Sequence, residues 1–197
     1  MIRTIKLPRN KSLNVFYNDK VYNPKYSDIG VVVIADALAK EGISVIDVAC
    51  GSGLSALCLK YLRPDLEVSA CDIDHNAVEV TERNKYSLGL DIEVFKNNLL
   101  HGLGGYDMIM ANLPTYTAKD MLEYELHGPK LAYYAGRENG LILYKRLFVQ
   151  SEELLSQDGI LVCECQAKLQ TPFLKLADKS GFKLVTRTDF AFGFRLK

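Results

Sequence analysis

From residue 45 onward, short apolar runs alternate with longer stretches whose apolar positions recur every three or four residues. The short runs predict strands at 45–49, 67–71, 91–95, 107–111 and 160–165. The run Met108-Ile109-Met110-Ala111 is almost continuously apolar, as a central strand buried on both faces should be. The longer stretches predict helices at 55–62, closed by Arg63-Pro64, and at 76–88, stopped by Gly89. Two more are predicted at 141–156, where Leu141, Tyr144, Phe148, Leu154 and Leu155 share a face, and at 171–179, ended by Gly181. Residues 117–139 carry no clear period and are broken by Gly128-Pro129. The chain closes with strands at 182–187 and 189–195, separated by a gap that permits only antiparallel pairing. Upstream, residues 13–17 and 20–22 read as short strands or one hairpin around Asn18-Asp19, ended by Pro24. Ser27 or Asp28 can then cap a helix with Ile29, Val32, Val33 and Ala37 near one face, stopped by Gly42.

This alternation predicts an α/β fold: a mostly parallel seven-stranded sheet with helices on both faces and an antiparallel hairpin strand at the C-terminus. Residues 1–27 form an N-terminal extension and residues 28–197 one domain. At 197 residues the chain suits a single domain with such an extension.

Charge changes the picture only locally. Lys plus Arg and Asp plus Glu number 24 each, so no global field draws the chain to nucleic acid or a membrane. The first 28 residues are lopsided: Arg3, Lys6, Arg9, Lys11, Lys20 and Lys25 face only Asp19 and Asp28. They read either as a basic arm or as a solvated terminal strand. No apolar run is long enough to span a bilayer, and Met1-Ile2-Arg3-Thr4-Ile5 lacks the apolar core of a secretion signal. The five cysteines are odd in number and contain no C-x-x-C pair, which suits reduced thiols in a cytoplasmic protein. Cys163 and Cys165 should face one side of a strand, and no metal site is expected.

The candidate chemistry begins at Val45-Ile46-Asp47-Val48-Ala49-Cys50-Gly51-Ser52-Gly53, an apolar strand running into a Gly-x-Gly turn and a helix N-terminus. Such a unit lets a ligand approach the backbone and meet unpaired N–H groups. Ala56 occupies the position of a third glycine, against a nicotinamide dehydrogenase, and the absence of Gly-Lys-Ser/Thr excludes a P-loop. Ligands of such sheets lie beyond the carboxyl ends of the strands. The residues there are Ala49 to Gly53, then Asp72-Ile73-Asp74, then Asn97-Asn98, then Asn112-Leu113-Pro114-Thr115-Tyr116. Asp72 can accept from a ribose diol or cap the next helix, and capping also suits Asp74. Ile73 can pack on an adenine face and Asn98 can bond its exocyclic amine, or both are plain structure.

The motifs Asp47 to Gly53, Ala70-Cys71-Asp72-Ile73-Asp74 with Ala77 and Asn84, and Asp107 to Pro114 resemble those of class I S-adenosylmethionine-dependent methyltransferases, with their Rossmann-like fold. More narrowly, the chain resembles the HemK/PrmC family, which methylates a glutamine side-chain amide in peptide release factors. Asn112-Leu113-Pro114-Thr115 stands where that family has N-P-P-Y. Ala135-Gly136-Arg137-Glu138-Asn139-Gly140-Leu141, followed by Tyr144-Lys145-Arg146-Leu147, resembles its glycine-rich G-x-x-G-L…Y-R-R-L segment. The resemblance implies S-adenosylmethionine as cofactor, held by Asp47, Ala49, Cys50, Gly51, Gly53, Asp72, Ile73, Asn97, Asn98 and Asn112. It implies catalysis by Asn112, Leu113, Pro114 and Tyr116 on a protein substrate such as a release factor. It also implies kinship with single-domain relatives that act with a partner protein. The departures are Leu113 for the first proline and Thr115 for the aromatic, with Tyr116 one residue late.

The chemistry explains the motif. An amide nitrogen is a poor nucleophile because its lone pair is delocalised. The Asn112 side-chain oxygen and the Leu113 carbonyl are two acceptors that can fix both N–H bonds and aim the lone pair at a methyl donor. Orientation of this kind supplies up to about 7–11 kcal/mol. Two other functions fit the residues. One is methylation of an exocyclic amine on an RNA or DNA base, with a flipped base stacked on Tyr116. The other is a cofactor-binding scaffold with lost or weak catalysis, suggested by Leu113 and Thr115.

Overall fold

The computed structural model describes residues 1–24, 29–124, 129–136 and 139–197. It opens with a hairpin of β1 (Ile2–Lys6) and β2 (Ser12–Phe16), with Ile5 opposite Leu13. The turn holds Arg9 and Asn10 at φ 60° and 55°, rather than Asn18-Asp19, where the residue pattern places it. β1 carries little signal in the residue pattern, because Ile5 alone of its residues is buried. No strand forms at 20–22; Val21 is nevertheless buried, packed on Ala77 and Val80. The expected caps Ser27 and Asp28 lie outside the described residues. The helix that follows is α1 (Gly30–Leu38).

The alternation is then regular: β3 (Ser44–Val48), α2 (Leu54–Leu62), β4 (Glu67–Asp72), α3 (His75–Leu88), β5 (Glu93–Lys96) and β6 (Tyr106–Ala111). The Asp74 carboxylate accepts the Asn76 N–H and so caps α3, while Gly89 at φ 62° ends it. The stretch expected to be irregular contains two short helices, α4 (Ala118–Glu123) and α5 (Lys130–Tyr133). The first is started by a reciprocal Thr117–Asp120 capping box. Next come α6 (Ile142–Leu154), β7 (Leu155–Glu164), α7 (Gln170–Lys179), β8 (Phe182–Arg187) and β9 (Ala191–Leu196). The predicted helix through 156 stops two residues early. Ser156, Gln157 and Asp158 are exposed and belong to an irregular start of β7, which settles into parallel register with β6 from Ile160.

The sheet order is β5-β4-β3-β6-β7-β9-β8. Contacts among the first five strands are parallel, and β9 is antiparallel to both neighbours. Side chains alternate across it. Val45, Val68, Met108, Met110 and Val162 pack against α1, α2 and the inner face of the β1–β2 hairpin. Ile46, Val48, Ile109, Ala111, Leu161 and Cys163 pack against α6 and α7 on the other face. Each fully buried large side chain contributes roughly 1.5–3 kcal/mol. An aromatic cluster of Tyr144, Phe148, Phe173, Phe182, Phe192 and Phe194 fills the second layer, with ring centroids 4.9 to 6.5 Å apart. Among the described residues no helix is long and apolar enough to cross a membrane.

Candidate active site

The chain runs from β3 outward through β4 to β5, then crosses back to β6 on the far side of β3. This reversal leaves a crevice beyond the carboxyl ends of the central strands, the place where open α/β sheets bind ligands. A cavity of about 600 Å³ lies there. Its walls include Asp47, Ala49, Cys50 and Gly51 after β3, Asp72 and Ile73 after β4, Asn97 and Asn98 after β5, and Asn112, Leu113, Pro114 and Tyr116 after β6. These residues, read from the sequence as the ends of separate strands, thus surround one space. Gly53 is the exception, because it does not line the cavity. It sits at φ 78° at the start of α2, and a Cβ there would lie 2.6 Å from Thr81 Cγ2. Its glycine is required by the approach of α3.

The turn itself is tightly held. The Cys50 N–H donates to the Cys71 carbonyl at 3.0 Å, and the Gly51 N–H donates to Asp72 Oδ2 at 3.0 Å. Ala49 adopts φ 59°, a conformation that costs an L-residue about 1–2 kcal/mol. Asp72 Oδ1 accepts the Asp74 N–H at 2.9 Å, and the Ile73 N–H also bears on this carboxylate, whose four lone pairs leave acceptor capacity for a ligand. Asp47 Oδ2 accepts the Ala56 N–H in the first turn of α2 at 3.0 Å.

Asp47 and Asp72 are 3% and 8% exposed, and among the described residues neither forms an ion pair. Burial pushes the Asp47 carboxyl up to about 7, with the nearby Asp72 adding to the rise and the Ala56 N–H opposing it. Burial also raises Asp72, against the backbone donors that hold it. Burial and the two carboxylates hold the Cys50 thiol well above the ordinary thiol range, which disfavours the thiolate. The cavity floor is therefore short of positive charge.

The Asn112 loop is braced from behind. Tyr144 is fully buried; its hydroxyl accepts the Leu113 N–H at 3.1 Å and donates to the Glu164 carbonyl. Thr115, in the position of the expected aromatic, is turned inward and is 7% exposed. Its hydroxyl accepts from Gln166 Nε2 at 2.7 Å. Gly140 packs so closely on this loop that a Cβ would lie 2.3 Å from the Thr115 carbonyl oxygen. Tyr116 pairs through its backbone with Tyr133 and Ala135, and its ring lies beside Tyr124, Tyr133 and the Lys168 ammonium. The Asn112 side chain makes no hydrogen bond among the described residues and lines the cavity. Of the glycine-rich segment, Arg137 and Glu138 lie outside the described residues.

Several wall residues carry no motif signal. Lys20, Val21 and Tyr22 come from the N-terminal extension, Glu164 from the end of β7, Gln166 from just after it, and Phe190 from just before β9. The buried Asn84 ties the extension down, bonding the Phe16 N–H and carbonyl and the Ser52 carbonyl, each at 2.8 Å. Arg146 Nη2 donates to Asn98 Oδ1 at 3.2 Å, which leaves the Asn98 amide hydrogens as the group offered to the cavity. The Asn97 amide nitrogen is spent on the Leu99 and His101 carbonyls.

The chain is similar in sequence and in fold to known proteins. The chain is 31% identical over 149 residues to the release factor glutamine methyltransferase of Deinococcus radiodurans, covering 74% of this chain and 53% of that one. It is 30% identical over 158 residues to the ribosomal protein uL3 glutamine methyltransferase of Xanthomonas campestris pv. campestris, covering 77% of this chain and 48% of that one. The chain thus spans about half the length of the curated relatives it matches. In fold it resembles the crystal structure of a methyltransferase from Pyrococcus furiosus, with a TM-score of 0.67, 14% identity and coverage of 92% and 87% of the two chains. Residues 12–126 match the model of the methyltransferase small domain. That segment carries the β3 turn, the acidic end of β4 and the Asn112 loop that together form one wall of the cavity, and the chain belongs to the methyltransferase small domain family.

Proposed function

We propose that this chain binds S-adenosylmethionine in the cavity at the sheet's switch point and methylates the side-chain amide of a glutamine in a protein such as a peptide release factor. The residues suit that cofactor. A space of about 600 Å³ is of the size that encloses a small-molecule ligand. Two buried carboxylates without cationic partners among the described residues favour a ligand carrying positive charge. Asp72 keeps lone pairs for a ribose diol, and Ile73, 47% exposed on the cavity rim, offers an apolar surface to a base. The Asn98 amide hydrogens suit a ring nitrogen of that base rather than its exocyclic amine. When bound, the cofactor supplies an electrophilic methyl on sulfur.

The observation that carries the acceptor reading is the Asn112 side chain, on the cavity wall with no partner among the described residues, on a loop held in place by Tyr144. Its oxygen and the Leu113 carbonyl would each accept one N–H of the substrate amide. Holding both hydrogens points the nitrogen lone pair away from them and into the cavity. Tyr116 would pack on the substrate as an aromatic wall. The relatives, named for glutamine methylation of a release factor and of a ribosomal protein, support this choice of acceptor. They and the five buried, unpaired cysteines also support a cytoplasmic setting.

The test is transfer of labelled methyl from S-adenosylmethionine to purified release factors, with Asn112→Ala as the control. Transfer to a glutamine that the variant loses is the expected result. Cofactor binding without transfer to any acceptor would leave a scaffold role instead, and label entering RNA or DNA would move the acceptor to a base amine. Against that last outcome, Arg9 of the basic extension is already paired with Asp36 at 2.7 Å.

A further inference from the structure

The proposed cofactor carries a carboxylate on its amino-acid arm, and no motif names a partner for it. Two cationic side chains line the cavity among the described residues, Lys20 and Arg146. Arg146 is engaged with Asn98 at the end of β5, the side assigned above to the base. Lys20 forms no ion pair among the described residues.

The backbone that carries the exposed Lys20 is held at the cavity edge. The segment around it is folded back by the Asn18 side chain, whose Oδ1 accepts the Lys20 N–H at 3.0 Å. The next residue, Val21, is buried on α3. Tyr22 follows, its ring centroid 5.2 Å from that of Tyr133, and its Cβ would lie 3.9 Å from a Cβ on Gly51. The extension therefore passes over the glycine turn and lines the cavity there. With the ribose at Asp72 and the methyl facing Asn112, the amino-acid arm is left with the wall made by the glycine turn and this strap. Apart from Lys20, the ionisable side chain lining that wall among the described residues with a carboxyl group is the buried Asp47, which suits the arm's ammonium but not its carboxylate.

We propose that Lys20 binds the cofactor's amino-acid carboxylate, so that the N-terminal extension is part of the cofactor site. This rests on the cofactor reading above. Calorimetric titration of the full chain with S-adenosylmethionine and with its decarboxylated analogue separates the two. Lys20→Met keeps the aliphatic stem and should weaken S-adenosylmethionine binding about tenfold, as loss of a charge-assisted bond does. The decarboxylated analogue should bind wild type and Lys20→Met alike, and Lys20→Arg should retain most of the affinity. If Lys20→Met binds S-adenosylmethionine as wild type does, or loses both ligands equally, the Lys20 assignment is overturned while the cofactor reading stands. If wild type binds neither ligand, both fall.

Discussion

Replacing Asp47 with Asn should remove a pH dependence of stability that the buried carboxyl creates. Asp47 is 3% exposed, accepts the Ala56 N–H at 3.0 Å and has no ion pair among the described residues. Its pKa rises from 3.8 to about 7 on folding, with burial the largest cause. Between these values the unfolded chain has released the proton and the folded chain still holds it. Stability from this group is therefore complete below the unfolded value and is lost as pH rises through the folded one. A rise from 3.8 to about 7 corresponds to roughly 4 kcal/mol. The asparagine oxygen can accept the same Ala56 N–H, has nearly the same shape and does not titrate. Urea unfolding of both proteins at a series of pH values from 4 to 8 gives the comparison. The wild type should lose about 4 kcal/mol relative to Asp47→Asn across that range. Because Asp72 stays in both proteins, the difference isolates Asp47 and its coupling to that neighbour. Parallel curves, or a variant less stable than wild type at pH 8, would refute the reasoning.

Other substitutions probe the loop and the extension. Tyr144→Phe keeps the packed ring but removes the hydroxyl between Leu113 and Glu164. It should cost about 1–2 kcal/mol in thermal unfolding and lower kcat more than it raises KM for the cofactor. Gly140→Ala places a Cβ 2.3 Å from the Thr115 carbonyl oxygen at φ +75°, and should destabilise by about 3 kcal/mol. Gly89→Ala, at φ +62° with nothing within 4 Å, should cost only about 1 kcal/mol in the same assay. Asn84→Ala breaks the bonds that hold Phe16, so limited proteolysis should cut within residues 1–24 much faster than in wild type. Binding a cationic ligand beside Asp47 at pH 6 favours its charged form. Titrations in two buffers of different ionisation enthalpy should then show proton release, and Asp47→Asn should reduce it while Asp72 remains.

The parts of the molecule that follow a period were readable from residues alone. Met108 to Ala111 is apolar on both faces because β6 is covered on both, and the gap between the last strands left β8 and β9 no pairing but antiparallel. Asp72, Asn98 and Asn112 were legible because a parallel sheet brings the residues after each strand to one edge. What was missed depends on contacts that no local pattern carries. β1 buries a single side chain, so its sequence has no alternation to detect. Lys20 and Tyr22 reach the cavity because residues far along the chain hold the strap that bears them, Asn84 by bonding Phe16 and Ala77 and Val80 by packing on Val21. Tyr144 stood out as a core aromatic, yet its hydroxyl braces Leu113, a role set by the spacing of two strand ends. Gly53, grouped with the ligand turn, serves the approach of Thr81 on α3.

A crystal structure of the full chain with S-adenosylhomocysteine tests the central claim most directly. The account predicts the ribose diol on the Asp72 carboxylate, the base against Ile73 and Asn98, and the sulfur facing the Asn112 side chain. A nucleoside bound outside this cavity, or a sulfur turned away from Asn112, would contradict it.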